Sequence, residues 1–169
     1  MNLFMISLGG KVNGCNLEVH DVQFVAAKHI DDTLKVLRSG WYGREEKLHM
    51  DSYKQISGAD GYTLRLTKEK PDSRKQLFFV HLGGYQKDSS QELHEVGLLV
   101  GDTLQEVKER APKEIQADAI QNHVDNIISV EACLHSTDGE QYYIELSESP
   151  EEFDFAPDWF GYRRLDQTN

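Results

Sequence analysis

Two short patterns in the chain place an imidazole and a carboxylate two residues apart: Glu18-Val19-His20 and His49-Met50-Asp51. In an extended backbone such residues point to one side, so each pattern presents its His beside its own acid. Two imidazoles and two carboxylates can surround one divalent cation, because neutral His nitrogen and carboxylate oxygen are ordinary ligands of zinc, iron and manganese. A Glu–His pair can equally hold an imidazole in one tautomer for acid–base work. The plainer use is architectural. Glu18 and His20 then form a cross-strand polar pair, and Asp51 caps a turn through nearby backbone N–H groups. Spacing meets each requirement pairwise only, and nothing in it brings the two pairs together. The architectural use is the leading expectation.

Both patterns recur. LFMISLGG at 3–10 returns as LFFVHLGG at 77–84, LEVHDV at 17–22 as QELHEV at 91–96, and His49-Met50-Asp51 as His123-Val124-Asp125. All three matches share an offset of 74 residues without a gap, and ten positions are identical across it. Chance does not align three blocks in one register, so the chain is a duplicated unit. The copy-two counterparts of the candidate ligands are Glu92, His94, His123 and Asp125. Recurrence of these four fits a folding constraint acting on both copies.

The elements that must position these residues follow from pattern. Each copy opens with an apolar run ending in Gly-Gly, expected as a strand and a turn. A second strand alternates, with Glu18, His20, Val22, Phe24 and Ala26 on one face and Glu92, His94, Val96, Leu98 and Val100 on the matching one. A helix follows. Thr103 to Glu106 fits a capping box in copy two, whereas His29 and Asp32 hold those places in copy one, and His29 is the poorer cap. Ile30, Leu34, Leu37 and Trp41 make one apolar helical stripe, and Pro112 should end the second helix early. Each copy closes with an expected hairpin: Tyr53–Ile56 with Tyr62–Leu66 around Gly58-Ala59-Asp60-Gly61, and Ile127–His135 with Tyr142–Leu146 around Thr137-Asp138-Gly139-Glu140. One alternative stays open. Ile120, Val124, Ile127 and Ile128 also fit a short helix, which would carry the second His-x-Asp.

Other candidate chemistry is thinner. Gly9-Gly10 and Gly83-Gly84 lack the further glycines, the Lys and the following helix of a phosphate loop, and a tight turn of positive φ explains them better. Trp41 and Tyr42 follow the helix as a core plug first, a stacking platform for a ligand second. Cys15 and Cys133 neither recur between copies nor sit beside a histidine, so nucleophilic catalysis has no visible carrier. Residues 149–169 interleave acids with Phe153, Phe155, Trp159, Phe160 and Tyr162. The expectation is a tail whose aromatics dock on the chain's own surface; the sharper reading is an exposed segment for a partner.

Composition narrows the function classes. The chain has 169 residues and a net charge of −11, with 12 Lys and Arg against 10 Asp and Glu up to residue 75, and 6 against 19 beyond it. An acidic second half repels phosphate backbones, so no nucleic-acid partner is expected. No stretch approaches the ~20 apolar residues of a membrane span, so no membrane is expected either. Two scattered cysteines and no visible secretion signal favour a cytoplasmic, reduced chain.

The same blocks resemble an uncharacterised bacterial family, domain-of-unknown-function family 1543. Its pattern reads Leu-Gly-Gly, a Glu-x-His-Asp-Val strand, a helix ending near Trp-aromatic-Gly, His-x-Asp-Ser-aromatic and Asp-Gly-Tyr. Copy one matches nearly throughout, through Leu8-Gly9-Gly10, Glu18 to Val22, Trp41-Tyr42-Gly43, His49 to Tyr53 and Asp60-Gly61-Tyr62. Copy two keeps Leu82-Gly83-Gly84, Glu92 to Val96 and His123 to Asp125, but departs at Ile115-Gln116-Ala117 and at Asn126-Ile127. The resemblance implies one or two copies per chain and transfers no activity. It also implies that the second copy serves structure.

The expected architecture is therefore α+β, two tandem ββαββ repeats packed about a pseudo-twofold axis with mainly antiparallel sheet. Residues 1–70 form copy one, 71–76 a linker, 77–148 a degenerate copy two and 149–169 the tail. A non-catalytic binding or interaction module with an unknown protein or small-molecule partner leads, its ligand candidates being Trp41, Tyr42, His20 and His49. The rivals are a small metal-dependent or acid–base enzyme centred on Glu18, His20, His49 and Asp51, and a structural subunit or homodimer. No cofactor is expected, a divalent metal being the alternative.

Overall fold

A computed structural model of the chain describes residues 1–115 and 119–166. Strand β1 (Asn2–Gly10) runs between β2 (Val19–Ala27) and β3 (His49–Ile56), antiparallel to both. Between β2 and β3, a 3-10 turn (Ile30–Thr33) enters a short helix, α1 (Leu34–Gly40). The arrangement returns in β6 (Gln76–Tyr85), flanked by β7 (Leu93–Gly101) and β8 (Ile120–Ser129), with helix α2 (Leu104–Glu114) between them. Thr103 Oγ1 accepts the Glu106 N–H at 3.2 Å, and the Glu106 carboxylate accepts from Asp102 N at 3.0 Å, so the strong cap is in copy two as expected.

Three expectations fail here. Helix α2 continues two residues past Pro112: a proline loses its own N–H bond and crowds the carbonyl four residues before it, but the N–H groups that follow keep their acceptors, and Ile115 N still donates to Ala111 O at 3.0 Å. The copy-two hairpin does not form. Its first arm breaks at a 3-10 turn (Val130–Cys133), whose Val130 is fully buried among Leu3, Phe24 and Leu77. Burying that turn sends the chain to copy one: β9 (Leu134–Ser136) joins β2 in parallel, and β10 (Tyr143–Glu148) joins β5 (Tyr62–Thr67) antiparallel. In copy one the hairpin is made by β4 (Gly58–Ala59) and β5 around Asp60 and Gly61, both at positive φ (52° and 76°), while β3 stays with β1. The second His-x-Asp lies in strand β8, so its helical alternative falls away. Gln116 and Ala117, where copy two departs from the family pattern, lie outside the described residues.

The apolar faces sort into three clusters. Phe4, Ile6, Leu8, Val25 and Ala27 bury α1 through Leu37 and Trp41, and Phe78, Val80, Leu82 and Leu99 bury α2 through Val107 and Ala111. The third cluster joins the copies: Leu3, Met5, Phe24 and Ile56 meet Leu77, Leu98, Val100 and Ile144. Leu3 and Met5 lie on that shared face of β1, and alternation carries Gly9 onto it; Leu77 and Phe79 do the same for Gly83. A last strand, β11 (Trp159–Arg164), adds to the free edge of β3. Among the described residues no helix is long and apolar enough to cross a membrane.

Candidate metal centre

Gly9 on the central strand pairs with His20 on one side and His49 on the other. In copy two Gly83 pairs with His94 and His123 in the same way. A Cβ on Gly9 would stand 2.5 Å from His49 Nε2 and 3.0 Å from Asp51 Oδ2. On Gly83 it would stand 2.6 Å from His123 Nε2, 2.8 Å from Glu92 Oε1 and 2.9 Å from Asp125 Oδ2. These glycines leave room for a cluster above the sheet. The expected turn is thus corrected: Gly9-Gly10 and Gly83-Gly84 lie inside strands and outside the positive-φ set. Gly10 has its own reason, since a Cβ there would meet Trp41 Cζ2 at 2.8 Å.

Each cluster also carries a bulge. The β1–β3 register slips between Ser7 and Leu8, leaving Asp51 as the extra residue, and the β6–β8 register slips between His81 and Leu82, leaving Asp125. Each extra residue stays on the side of the imidazole two residues before it, as the two-residue period has it, and the residues that follow, Ser52 and Asn126, take the face opposite to the one that period gives them. Asp51 therefore sits within a strand with its carboxylate toward the imidazoles, rather than capping a turn.

The two pairs meet. His49 Nε2 lies 3.4 Å from Glu18 Oε1 and 3.3 Å from Asp51 Oδ1, and His20 Nε2 lies 3.5 Å from Glu18 Oε1 and 3.8 Å from Asp51 Oδ2. Ligand atoms about 2.1 Å from one cation stand roughly 3.0–3.4 Å apart in octahedral or tetrahedral geometry, so most of these separations are close to ligand spacing. His49 Nδ1 lies 2.7 Å from the carbonyl of Lys47, which fixes the proton on Nδ1 and turns the Nε2 lone pair toward both carboxylates. That arrangement needs a positive charge between them, either a proton on Nε2 or a bound cation. Two neutral imidazoles and two carboxylates total −2, the complement of a divalent cation. Burial raises the Asp51 carboxyl above its ordinary value, partly offset by the two imidazoles.

Copy two repeats the cluster and enlarges it. His123 Nε2 lies 3.0 Å from Glu92 Oε1 and 3.2 Å from Asp125 Oδ1, with Nδ1 3.1 Å from the Gln121 carbonyl. That carbonyl contact raises His123 above the ordinary imidazole range, helped by the neighbouring Asp125 and Glu92. His94 reaches Asp125 Oδ2 at 3.5 Å and Glu92 Oε2 at 3.8 Å. A fifth residue, His81, reaches Asp125 Oδ2 at 3.7 Å and His94 Nδ1 at 3.1 Å. His81 escaped the repeat-based reading because Ser7 occupies its place in copy one; its one signal was its position two residues before Gly83, on the same face. The copy expected to be structural carries the larger ligand set.

The tail covers His49 of copy one, while His20 stays exposed. Tyr162 on β11 lies over the His49 ring at 4.1 Å, whereas among the described residues the ring paired with His123 is that of Tyr85 at 6.2 Å, and His123 is 44% exposed along its side chain. Trp159 stacks on Tyr53, Leu165 is buried beside α1, and Asp158 accepts the Gln55 N–H at 2.7 Å. The tail therefore docks on its own chain. Of the other candidates, Trp41 is the plug, 7% exposed with Nε1 donating to Arg44 O at 3.1 Å. Tyr42 lies against it and is 61% exposed, away from the contacts that join the imidazoles.

A family model described as Domain of Unknown Function (DUF1543) matches residues 15–66 and 89–145. The chain belongs to this family. Its two matched regions carry Glu18, His20, His49 and Asp51 in the first and Glu92, His94, His123 and Asp125 in the second. The DUF1543 chain is also similar to a solved structure, the crystal structure of a protein Il1583 from Idiomarina loihiensis, with a TM-score of 0.75 and 29% identity over 97% of each chain. No curated protein matches it. Gly9 and Gly83 lie outside the two matched regions, and the structure gives the reason for a glycine there: a Cβ would occupy the space beside the imidazole and carboxylates.

Proposed function

We propose that this DUF1543 chain is a binding module for divalent transition metals, with one centre in each copy. The observation that carries the reading is the copy-two cluster, where His81, His94 and Asp125, and Glu92, His123 and Asp125, each bring three possible ligand atoms within 4.8 Å of one another beside Gly83; copy one sets Glu18, His20, His49 and Asp51 together in His–carboxylate pairs beside Gly9. Both centres also hold one imidazole by a backbone carbonyl two residues before it, an arrangement that favours a fixed ligating nitrogen. Mixed imidazole and carboxylate sets suit zinc, manganese or iron better than magnesium.

The two centres belong to tandem ββαββ copies packed about a pseudo-twofold axis. Supporting that, Leu64 pairs with Leu146 and Leu66 with Ile144 across β5 and β10, and Arg65 pairs with Glu145 at the middle of the ladder. Two free cysteines fit a cytoplasmic chain.

Thermal unfolding tests the metal reading. Zn(II) or Mn(II) at about 100 times its Kd stabilises a one-site protein by about 2.7 kcal/mol, roughly 5–10 °C for a chain of this size. Chelator should reverse the shift, Mg(II) should give little, and His49→Ala with His123→Ala should abolish it. An unshifted wild-type transition with both metals would overturn the proposal.

A further inference from the structure

In copy two, two sets of three possible ligands share one carboxylate: His81, His94 and Asp125, and Glu92, His123 and Asp125, with the ligand atoms of each set within 4.8 Å of one another. Asp125 divides its oxygens between them. Oδ1 lies 3.2 Å from His123 Nε2, while Oδ2 lies 3.5 Å from His94 Nδ1 and 3.7 Å from His81 Nε2. Glu92 divides as well, with Oε1 at 3.0 Å from His123 Nε2 and Oε2 at 3.8 Å from His94 Nε2. Two carboxylates that each turn one oxygen toward separate imidazole groups make the pattern of a bridged metal pair, whose ions stand about 3.5–4 Å apart.

We infer that the copy-two centre binds two divalent transition-metal ions bridged by Asp125, whereas the copy-one centre binds one. The inference rests on the metal-binding reading above and extends it. His81 decides the difference. Its Nε2 stands 3.1 Å from His94 Nδ1, so two ring nitrogens face each other at ligand spacing, and copy one offers only Ser7 at that position. Charge agrees with an open centre. Three neutral imidazoles and two carboxylates carry −2 against +4 for the pair, leaving a net +2 for hydroxide or an anionic ligand to meet. The half-exposed side chains of His94 and His123 leave room for one.

The experiment uses the full chain stripped with chelator, loaded with Zn(II), freed of excess by gel filtration and analysed for metal, with a parallel Mn(II) sample examined by electron paramagnetic resonance. Wild type should hold three ions per chain and show an exchange-coupled manganese pair. His81→Ser, which installs the copy-one residue at a partly exposed position, should hold two ions and lose the coupled signal while keeping its unfolding temperature in chelator. Asp125→Asn should hold one. Two ions in both wild type and His81→Ser, with no coupled signal, would overturn the pair while leaving single-ion binding intact. No bound ion in wild type would overturn both readings.

Discussion

The carbonyl of Lys47 lies 2.7 Å from Nδ1 of His49, and Lys47 reaches that position with a φ of 72°. Gln121, its counterpart 74 residues later, does the same for His123 with a φ of 52°. A left-handed residue other than glycine is uncommon, and here it recurs where a carbonyl must meet an imidazole. Fixing the proton on Nδ1 is what leaves Nε2 facing Glu18 and Asp51.

Backbone strain and ligand orientation should therefore separate by mutation. Lys47→Gly should raise stability by up to about 1 kcal/mol in chelator while keeping metal affinity, because glycine takes positive φ freely. Lys47→Val should weaken Zn(II) binding at copy one about 10- to 100-fold, as loss of a ligand's outer partner does. Unfolding curves and titration calorimetry read the two effects.

Gly9→Ala should empty copy one alone. A methyl 2.5 Å from His49 Nε2 has to displace the imidazole, and overpacking of this kind costs about 1–3 kcal/mol. Metal analysis should show the loss of one ion per chain, with the copy-two resonances unchanged in an NMR spectrum. Gly83→Ala should empty copy two instead, with the loss of two ions per chain and the copy-one resonances unchanged.

The tail should control access to copy one. Leu165 is 1% exposed between β3 and α1, so Leu165→Ala should cost about 2–5 kcal/mol and release β11. Tyr162→Ala keeps that anchor and removes the ring over His49. Metal exchange at copy one should then speed toward that of copy two, which stopped-flow competition with a chelating dye would measure.

Acid should act on the tail late. The Arg164 side chain, with the Lys47 N–H, holds the Asp166 carboxyl well below the usual carboxylate range. A depressed folded pKa contributes stability that is complete above the unfolded value near ~3.9 and is lost as pH falls through the folded one. In chelator, the unfolding temperature of wild type should thus fall more steeply between pH of about 4 and about 2 than that of Asp166→Asn. Equal slopes would remove this anchor from the account.

Much of this was legible in the chain. The offset of 74 residues located both copies, and strand spacing put Glu18 with His20 and His49 with Asp51. Three things were hidden. Antiparallel register, which brings His20 and His49 to either side of Gly9, depends on long-range pairing that no local pattern encodes. The bulges at Asp51 and Asp125 break the two-residue period beyond them, so the facing of Ser52 and Asn126 is not read from spacing. Gly-Gly reads locally as a turn, and only the imidazole beside it shows that the missing Cβ is the reason. The failed copy-two hairpin has a similar cause. Asp138-Gly139 does make a turn, with Glu140 N donating to Asp138 Oδ1 at 3.1 Å, but tertiary burial of Val130 sends the flanking strands to copy one.

The most direct test of the central claim is the metal content of untagged full-length protein purified without chelator, beside the variant carrying His20→Ala, His49→Ala, His94→Ala and His123→Ala. A bound transition metal in whole-number stoichiometry in wild type, absent from a variant that still folds, is the predicted result. A wild type that stays metal-free after incubation with Zn(II) and Mn(II), or a variant that binds as much as wild type, would contradict it.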